Sequence, residues 1–376
     1  MTQPVETHAR PPPCGLIPGP TTMKENVLRA QSEALGSPDT DDAFWGDYLA
    51  LEHSLQTLLR TQNSIAIQSG EGMVALWGAM RSTIQPGDAV VCGVNGVFGD
   101  GFAAMAKAMG AVVHVVEGTW TKPLDVQALI SAIKQHDPKL VTMVHCETPS
   151  GLLNSLDGVG DAIAQHTTDG LFLVDFVSSA CGAPLDVDAL KIDLGLLAPQ
   201  KVLSGPPSLG ITTVSEKAWK RINAVGYAGY DALQPFHRVA EKEPRLMPYT
   251  HNWHAVRATL TACKNLLDAG GIDASIKHHA EVAAYCRDLV RRELGLKVYC
   301  EVEDAAAPTV TAVELPSNVS WKDFDRELRA QNVQLGGSYG PLYGKIFRLG
   351  HMGSQADKQL IDRAVHAIAA ALQKLA

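Results

Sequence analysis

The sequence predicts an α/β protein with a doubly wound, mostly parallel sheet, followed by a smaller α+β unit. Amphipathic helices and short β-branched runs alternate through the first two thirds of the 376 residues, which is typical of βαβ units. The nearly continuous apolar runs at 139–145, 171–176 and 193–199 indicate strands covered by helices on both faces. Because single cores stop growing at roughly 250–300 residues, we expect two domains.

The large domain is predicted to begin with a helix whose first residues are acidic, as suits a helix N-terminus. Turn-forming Gly, Pro and Asp residues separate the elements that follow it. In chain order the predicted elements are helix 41–61, strand 64–68, helix 71–82, strand 89–93, helix 101–110, strand 111–118, helix 124–136 and the three apolar strands.

Beyond residue 255 the pattern changes to long helices and a few strands. The predicted elements are helices 254–269 and 274–294, strands 296–302 and 309–315, a helix from Trp321, strand 345–350 and a closing helix 355–375. We therefore expect an N-terminal arm over residues 1–20, a large domain over 21–265 and a small domain over 266–376. Three consecutive prolines favour an extended arm.

Composition narrows the range of ligands. A net charge of -8 without a Lys/Arg-rich run argues against nucleic acid or a membrane surface as partner and favours small molecules. The seven cysteines lack disulfide-framework or ligand spacing, so we expect no metal site. No apolar run of 18 residues or signal pattern is present. A cytoplasmic location is expected, with peroxisomal or mitochondrial location left open.

Polar residues follow several predicted strands at the point where ligands bind in open α/β sheets. They are the turn 69–72, the segment 147–150, Asp175, and Gln200 with Lys201. Each has a structural explanation as a helix cap, a turn residue or a surface lysine. Together, however, an amine, a carboxylate and a glycine-rich turn suit pyridoxal 5'-phosphate, which needs a lysine, an acid for its pyridine nitrogen and N–H groups for its phosphate.

Seven segments then resemble the class V, fold-type I aminotransferases, the group with alanine-glyoxylate and serine-pyruvate aminotransferases. They occur in family order and are LIPGPT (16–21), QSGEGMVAL (68–76), NGVFGDGF (95–102), HCETPSGLLN (145–154), VDFVSSACGAP (174–184), APQKVLSGPPSLG (198–210) and FRLGHMG (347–353). The resemblance implies a large domain with a mostly parallel seven-stranded sheet between helices.

The resemblance also implies roles around the cofactor ring. Lys201 matches the lysine that forms the Schiff base and transfers the proton, and Asp175 matches the acid beneath the pyridine nitrogen. Phe98 matches the aromatic that stacks on the ring, with Val177 at the other face. Thr148 matches the position near the 3-oxygen of the ring.

Further matches concern the phosphate and the substrate. Ser69, Gly70, Glu71 and Gly72 form the phosphate-side turn, and Gln200 and Thr250 match phosphate ligands. Thr250 is expected to come from a neighbouring subunit, so the resemblance implies a homodimer. Arg348 matches the arginine that binds the substrate carboxylate, and Tyr339 lies in a substrate-side loop.

Glu71 departs from this pattern, because many relatives carry Thr or His there and a carboxylate repels a phosphate. A glutamate at this place resembles pyridoxamine-pyruvate aminotransferase, which uses free pyridoxamine or pyridoxal as a substrate. Tyr339, however, replaces the second arginine of that enzyme, and Gln200 keeps the residue type of the ordinary enzymes. A solvent-facing acid that stabilises a helix dipole is the alternative for Glu71.

We therefore predict transamination between a small amino acid of the alanine or serine type and glyoxylate or pyruvate. A pyridoxamine-pyruvate aminotransferase-like enzyme is the first alternative. A catalytically silent, cofactor-binding relative is the second, although Lys201, Asp175 and Arg348 are all present. A cysteine desulfurase is disfavoured because residues 301–376 contain no cysteine to act as its nucleophile.

Overall fold

A computed structural model describes residues 14–375, so residues 1–13 of the predicted arm lie outside the described part. The helices are α1 (Glu25–Gln31), α2 (Ala43–Leu59), α3 (Gly72–Thr83), α4 (Val97–Ala108), α5 (Val126–His136), α6 (Val159–His166), α7 (Glu216–Val225), α8 (Trp253–Asp268), α9 (Gly271–Arg292), α10 (Trp321–Ala330) and α11 (Lys358–Leu375). The strands are β1 (Cys14–Leu16), β2 (Ser64–Ser69), β3 (Ala89–Val94), β4 (Val112–Glu117), β5 (Leu140–Val144), β6 (Cys146–Glu147), β7 (Leu152–Leu153), β8 (Leu171–Asp175), β9 (Leu194–Leu197), β10 (Leu209–Val214), β11 (Thr311–Glu314), β12 (Val333–Gly337) and β13 (Ile346–Leu349).

The large sheet has seven strands in the order β2-β10-β9-β8-β5-β3-β4. Strand β10 pairs antiparallel with both neighbours, whereas the other neighbouring strands pair in parallel. The prediction of a mostly parallel, seven-stranded sheet is thus confirmed. The antiparallel β10 was not predicted from the sequence. Only residues 198–208 separate it from β9, and a parallel return needs a crossover of about a dozen residues or more.

The central strands β5, β8 and β9 are buried at every residue, as their apolar sequences predicted. Strands β3, β5, β8 and β9 run parallel to one another, so their carboxyl ends share one edge of the sheet. Asp175 is the last residue of β8, and Lys201 lies in the turn that follows β9. The fold therefore brings these two predicted site residues to the same edge.

A second sheet has the order β1-β12-β13-β11. Its first strand comes from the N-terminal segment and pairs parallel with β12, so residues 14–16 join the sheet of the C-terminal region. The α8–α9 junction, at residues 269–270, lies close in sequence to the domain boundary predicted at residue 265, which stays a prediction.

The predicted strand 296–302 is wrong. This segment forms a single bridge, between Val298 and Val313. Beyond this bridge, the Glu301 N–H donates to the Thr121 carbonyl at 2.9 Å and not to β11. Two other boundaries also shift. Helix α4 begins at residue 97 where the prediction gave 101, and α11 begins at 358, after a 3-10 turn at 353–355.

All seven cysteines are free and buried. Within residues 14–375, no helix is both long enough and apolar enough to cross a bilayer.

The N-terminal strand supplies a test of how the small sheet is held. Leu16 has no exposed surface, whereas Leu28 on α1 is 48% exposed. We predict that Leu16→Ala lowers the free energy of unfolding by about 2–5 kcal/mol through a buried cavity. The control, Leu28→Ala, should change it by less than about 0.5 kcal/mol. Urea unfolding followed by circular dichroism measures both, and equal effects would contradict the pairing of β1 with β12.

Candidate active site

Lys201 lies in the turn after β9, and the N-terminal segment passes directly over its side chain. The Nζ atom donates a hydrogen bond to the Pro18 carbonyl at 2.5 Å. Gly19 has a φ of +82°, and a Cβ there would lie 2.5 Å from Lys201 Cδ, so only glycine fits this close approach. Burial and the nearby Arg348 cation lower the pKa of Lys201 to about 8. The amine is therefore partly unprotonated near neutral pH.

Asp175 ends strand β8 and is 5% exposed. Its Oδ1 accepts the Val177 N–H at 2.8 Å. Burial raises the pKa of Asp175 to about 6, while the Val177 N–H and the Lys201 ammonium oppose the rise. The carboxylate is thus mostly ionised at neutral pH and can accept a proton or pair with a cation.

Arg348 lies on β13 and is held by backbone carbonyls. Its Nε donates to the Gly337 carbonyl at 2.9 Å and its Nη1 donates to the Thr148 carbonyl at 3.3 Å. Among the ion pairs found in residues 14–375, none includes Arg348, although the residue is only 7% exposed. Burial lowers the pKa of Arg348. A buried guanidinium without a carboxylate partner is suited to an anionic ligand.

Two aromatic rings lie beside this arginine. The Arg348 Cζ atom is 5.2 Å from the centroid of the Tyr339 ring, within cation–π range. Phe98, the second residue of α4, meets Tyr339 edge-on with the ring centroids 6.2 Å apart. Burial raises the pKa of Tyr339 to about 12, so its phenol stays protonated. The structure thus brings Phe98, Tyr339 and Arg348 together.

Thr148 and Val177 occupy the segments that follow β6 and β8. Thr148 is buried, and its hydroxyl forms a short hydrogen bond with the Ser178 hydroxyl. Val177 is partly buried and packs in the same apolar cluster as Phe98. Val177 contacts Asp175 through its N–H and Thr148 contacts Arg348 through its carbonyl, and their predicted places around a cofactor ring stay predictions.

The turn 69–72 leads from β2 into α3. Glu71 is the N-cap of α3, and its exposed side chain accepts the Met73 N–H at 2.9 Å. Gly70 has a φ of +142°, and a Cβ on the next glycine, Gly72, would lie 3.2 Å from the Ala198 side chain. The helix-capping explanation of Glu71 is therefore what the structure shows. Its carboxylate occupies an N–H group that an anion at this helix terminus would use.

Ser69 is held by the segment that precedes α8. Its N–H donates to the Tyr249 hydroxyl at 3.1 Å, and its hydroxyl accepts the Asn252 N–H at 2.9 Å. Thr250 lies in the same segment, but its exposed hydroxyl donates to Asp39 at 2.9 Å. Within one chain, Thr250 does not contact the other predicted site residues through this hydroxyl. Its predicted delivery by a neighbouring subunit stays a prediction.

Gln200 precedes Lys201 and is buried. Its Nε2 lies 4.0 Å from the place of a Cβ on Gly72, so the amide sits beside the start of α3. Its Oε1 has no hydrogen-bond partner within residues 14–375. Because buried polar atoms are normally paired, this amide is a candidate to contact a ligand.

No role was predicted from the sequence for Pro18, Gly19 or Ser178, and Glu147 was predicted only as one of the polar residues 147–150 at the ligand site. Pro18 and Gly19 contact Lys201 from the N-terminal segment, and Glu147 accepts two N–H groups of α4. The adjacent Pro and Gly were a usable signal, since such pairs mark tight approaches of the backbone. The partners of Glu147 are remote in the sequence and left no local signal.

The sequence and the fold of this chain are similar to those of known proteins. The Aminotransferase class-V family model matches residues 52–341. Alanine--glyoxylate aminotransferase of Oryctolagus cuniculus is 30% identical over 96% of this chain and 93% of its own length. Pyridoxamine--pyruvate transaminase of Mesorhizobium japonicum is 30% identical over 95% of this chain and 91% of its own length. The crystal structure of alanine--glyoxylate aminotransferase from Nostoc sp. superposes with a TM-score of 0.91, at 27% identity, over 98% of this chain and 97% of its own.

The titration of Lys201 tests the electrostatics of this site. In the ligand-free protein, we predict that Lys201 acylation by an amine reagent rises with pH around a midpoint near 8, because only the unprotonated amine reacts. Asp175→Asn should lower the midpoint, since it removes a stabilising anion. Arg348→Gln should raise it, since it removes a repelling cation. Labelling with peptide mass spectrometry gives each midpoint. A midpoint that is the same in the wild type and in both variants would contradict the conclusion that Asp175 and Arg348 act on the Lys201 amine.

Proposed function

The chain belongs to the class V aminotransferase family, and on that premise we propose that it is a pyridoxal-phosphate-dependent transaminase for small substrates. The proposed amino donor is of the alanine or serine type, and the proposed acceptor is glyoxylate or pyruvate. The observation that carries the proposal is the set formed by the partly buried Lys201 and the buried Asp175 and Arg348. An amine, a carboxylate and an unpaired guanidinium are the groups that amino transfer from a carboxylate-bearing substrate requires.

The residues fit the ring of the cofactor. Bound pyridoxal phosphate would supply an aldehyde carbon and an electron-withdrawing ring. Lys201 would hold the aldehyde, and the ionised Asp175 would keep the pyridine nitrogen protonated. Phe98 and Val177 would contact the ring faces, and Thr148 would lie near its 3-oxygen.

Lys201 is also the group suited to move a proton at the substrate α-carbon. Its pKa of about 8 lies close to physiological pH, where one amine can accept and return a proton with similar ease. Its hydrogen bond to the Pro18 carbonyl orients the Nζ atom on the side of the site that the N-terminal segment covers. The backbone carbonyl offers no competing negative charge.

Arg348 would bind the substrate carboxylate, because its planar fork matches two carboxylate oxygens. Tyr339 covers this guanidinium and touches the edge of Phe98. The two rings take up space beside the carboxylate site. This arrangement supports a preference for small substrate side chains.

A second candidate function rests on Glu71. Its carboxylate already accepts the Met73 N–H at the start of α3, so a phosphate there would meet a like charge and lose a donor. Free pyridoxamine or pyridoxal carries no phosphate, so it would not meet this repulsion. The similarity to pyridoxamine--pyruvate transaminase supports an enzyme that exchanges the amine of pyridoxamine with pyruvate. The Nε2 group of Gln200 lies beside the start of α3 and is a donor suited to a phosphate oxygen, which supports the phosphate-bearing cofactor instead.

We also propose that the enzyme is a homodimer, located in the cytoplasm, with its site completed by Thr250 of a second copy. Tyr230 is 60% exposed and Met73 is 40% exposed, although both adjoin the phosphate-side turn. The Tyr230 hydroxyl donates to the Ser69 carbonyl at 3.1 Å. Exposed large apolar side chains beside a ligand turn support coverage by a partner.

Replacing the lysine tests the main proposal. We predict that the wild-type protein absorbs visible light through its bound cofactor, that alanine bleaches this absorption and that pyruvate restores it. Lys201→Ala should lose this absorption change and lower turnover by at least about a thousandfold, since it removes both the attachment and the proton-transfer group. The control is Lys191→Ala, whose side chain is 54% exposed in a surface ion pair. Full turnover in Lys201→Ala would contradict the proposal.

Glu71 gives a separate test of which vitamer the enzyme holds. Glu71→Thr removes the charge and keeps a capping hydroxyl, so pyridoxal phosphate should bind about tenfold more tightly or better. Binding of unphosphorylated pyridoxal should change little. Fluorescence titration of both ligands, with Glu71→Gln as a second charge-free variant, measures the difference. Equal changes for the two ligands would show that Glu71 does not act on the phosphate.

A further inference from the structure

Glu147 is a carboxylate with no exposed surface. Its Oε1 accepts the Gly99 N–H at 2.7 Å, and its Oε2 accepts the Phe98 N–H at 3.2 Å. Among the ion pairs found in the described chain, none includes Glu147. Burial raises the pKa of Glu147 to about 7, while the two N–H groups oppose the rise. The charge of this group therefore depends on its contact with these two residues.

The two N–H groups belong to the first turn of α4, where helix donors lack intrahelical partners. At several other helices the N-cap side chain accepts such donors, as Asp125 does for α5 and Ser215 for α7. Helix α4 has no such local cap, because its N-cap residue is Gly96. The acceptor is instead the Glu147 carboxylate, which lies 48 residues after Gly99 and 49 residues after Phe98 in the sequence. It also lies favourably in the field of the helix dipole.

The glycines at the start of α4 fit this arrangement. A Cβ on Gly96 would lie 2.4 Å from Glu147 Cδ, and a Cβ on Gly99 would lie 3.4 Å from its Oε1 and 2.9 Å from the Gly93 carbonyl. Larger residues at 96 would displace the carboxylate. The segment NGVFG is thus shaped around Glu147, which explains why a glycine-rich stretch that resembles a turn begins a helix.

The backbone that follows Glu147 contacts the other side of the site. The Thr148 carbonyl accepts Arg348 Nη1 at 3.3 Å, and the Pro149 carbonyl accepts the Ser338 hydroxyl at 3.3 Å. Ser338 directly precedes Tyr339. The three-residue segment 147–149 therefore holds Phe98 through a side chain, and Arg348 and the Tyr339 loop through its carbonyls.

We propose that Glu147 is a positioning residue that fixes the Phe98 ring relative to Arg348. This inference rests on the proposed function, in which Phe98 contacts the cofactor ring and Arg348 contacts the substrate. Glu147 touches neither ligand in this arrangement. It sets the distance between Phe98 and the carboxylate site, so its loss should shift Phe98 and misalign the bound ring, whereas Lys201 and Asp175 keep their own contacts.

The experiment compares Glu147→Gln and Glu147→Ala with Asp125→Ala, which removes the two N–H contacts of a helix cap at α5. In the free protein, hydrogen exchange of residues 97–102 should speed up in both Glu147 variants and stay unchanged in Asp125→Ala. With pyridoxal phosphate bound, the visible circular dichroism should change. The kcat for alanine and pyruvate should fall about tenfold or more, because small misplacements of a bound ligand slow the reaction, and KM should change less.

Glu147→Gln retains one acceptor and should lie between the wild type and Glu147→Ala. If Glu147→Ala fails to fold, the isosteric Glu147→Gln decides alone. A normal dichroism spectrum and kcat in folded Glu147 variants would overturn the inference, even if their stability falls. A wild-type protein that neither binds the cofactor nor transaminates would instead overturn the proposed function, and exchange in the free protein would still report whether Glu147 holds α4.

Discussion

Charged groups buried together at the carboxyl edge of the large sheet constrain the rest of this structure. An amine, a carboxylate and a guanidinium cannot leave water without partners, because unpaired buried charge is very costly. Here Lys201 uses the Pro18 carbonyl, Asp175 uses the Val177 N–H, and Arg348 uses two carbonyls. The site therefore requires the N-terminal segment, the large sheet and the small sheet at once. This requirement accounts for β1, which anchors the N-terminal segment in the small sheet just before it reaches the lysine.

The sequence predicted the parts of this arrangement that depend on local patterns. Buried strands such as β5 and β8 were evident as apolar runs, and Lys201 stood out as a lone charge among them. The seven-stranded sheet and the residue roles came from the resemblance to a family. Strand β12 was missed because Gly336 and Gly337 weaken the strand pattern. The start of α4 was missed because its cap comes from a remote carboxylate.

The two ends of the site differ in how clearly they indicate a ligand. At the ring end, the amine, the acid and the aromatic side chain are mutually consistent with a pyridoxal ring. At the phosphate end, Glu71 caps α3 with its own carboxylate, while the donor Nε2 of Gln200 lies beside the start of the same helix. Helix N-termini can bind either a side-chain carboxylate or a phosphate, since both satisfy the same N–H groups. In the proposed site, Glu71 and Gln200 therefore bear on which vitamer binds, whereas Lys201, Asp175 and Arg348 bear on amino transfer.

We propose above all that Lys201 is the covalent attachment point of a vitamin B6 aldehyde. The most direct measurement is reduction of the purified protein with borohydride, followed by digestion and peptide mass spectrometry. The account predicts one modified lysine, Lys201, carrying a pyridoxyl group whose mass also shows whether phosphate is present. A pyridoxyl group on another lysine, or an unmodified Lys201 after incubation with pyridoxal phosphate and with pyridoxal, would contradict the account.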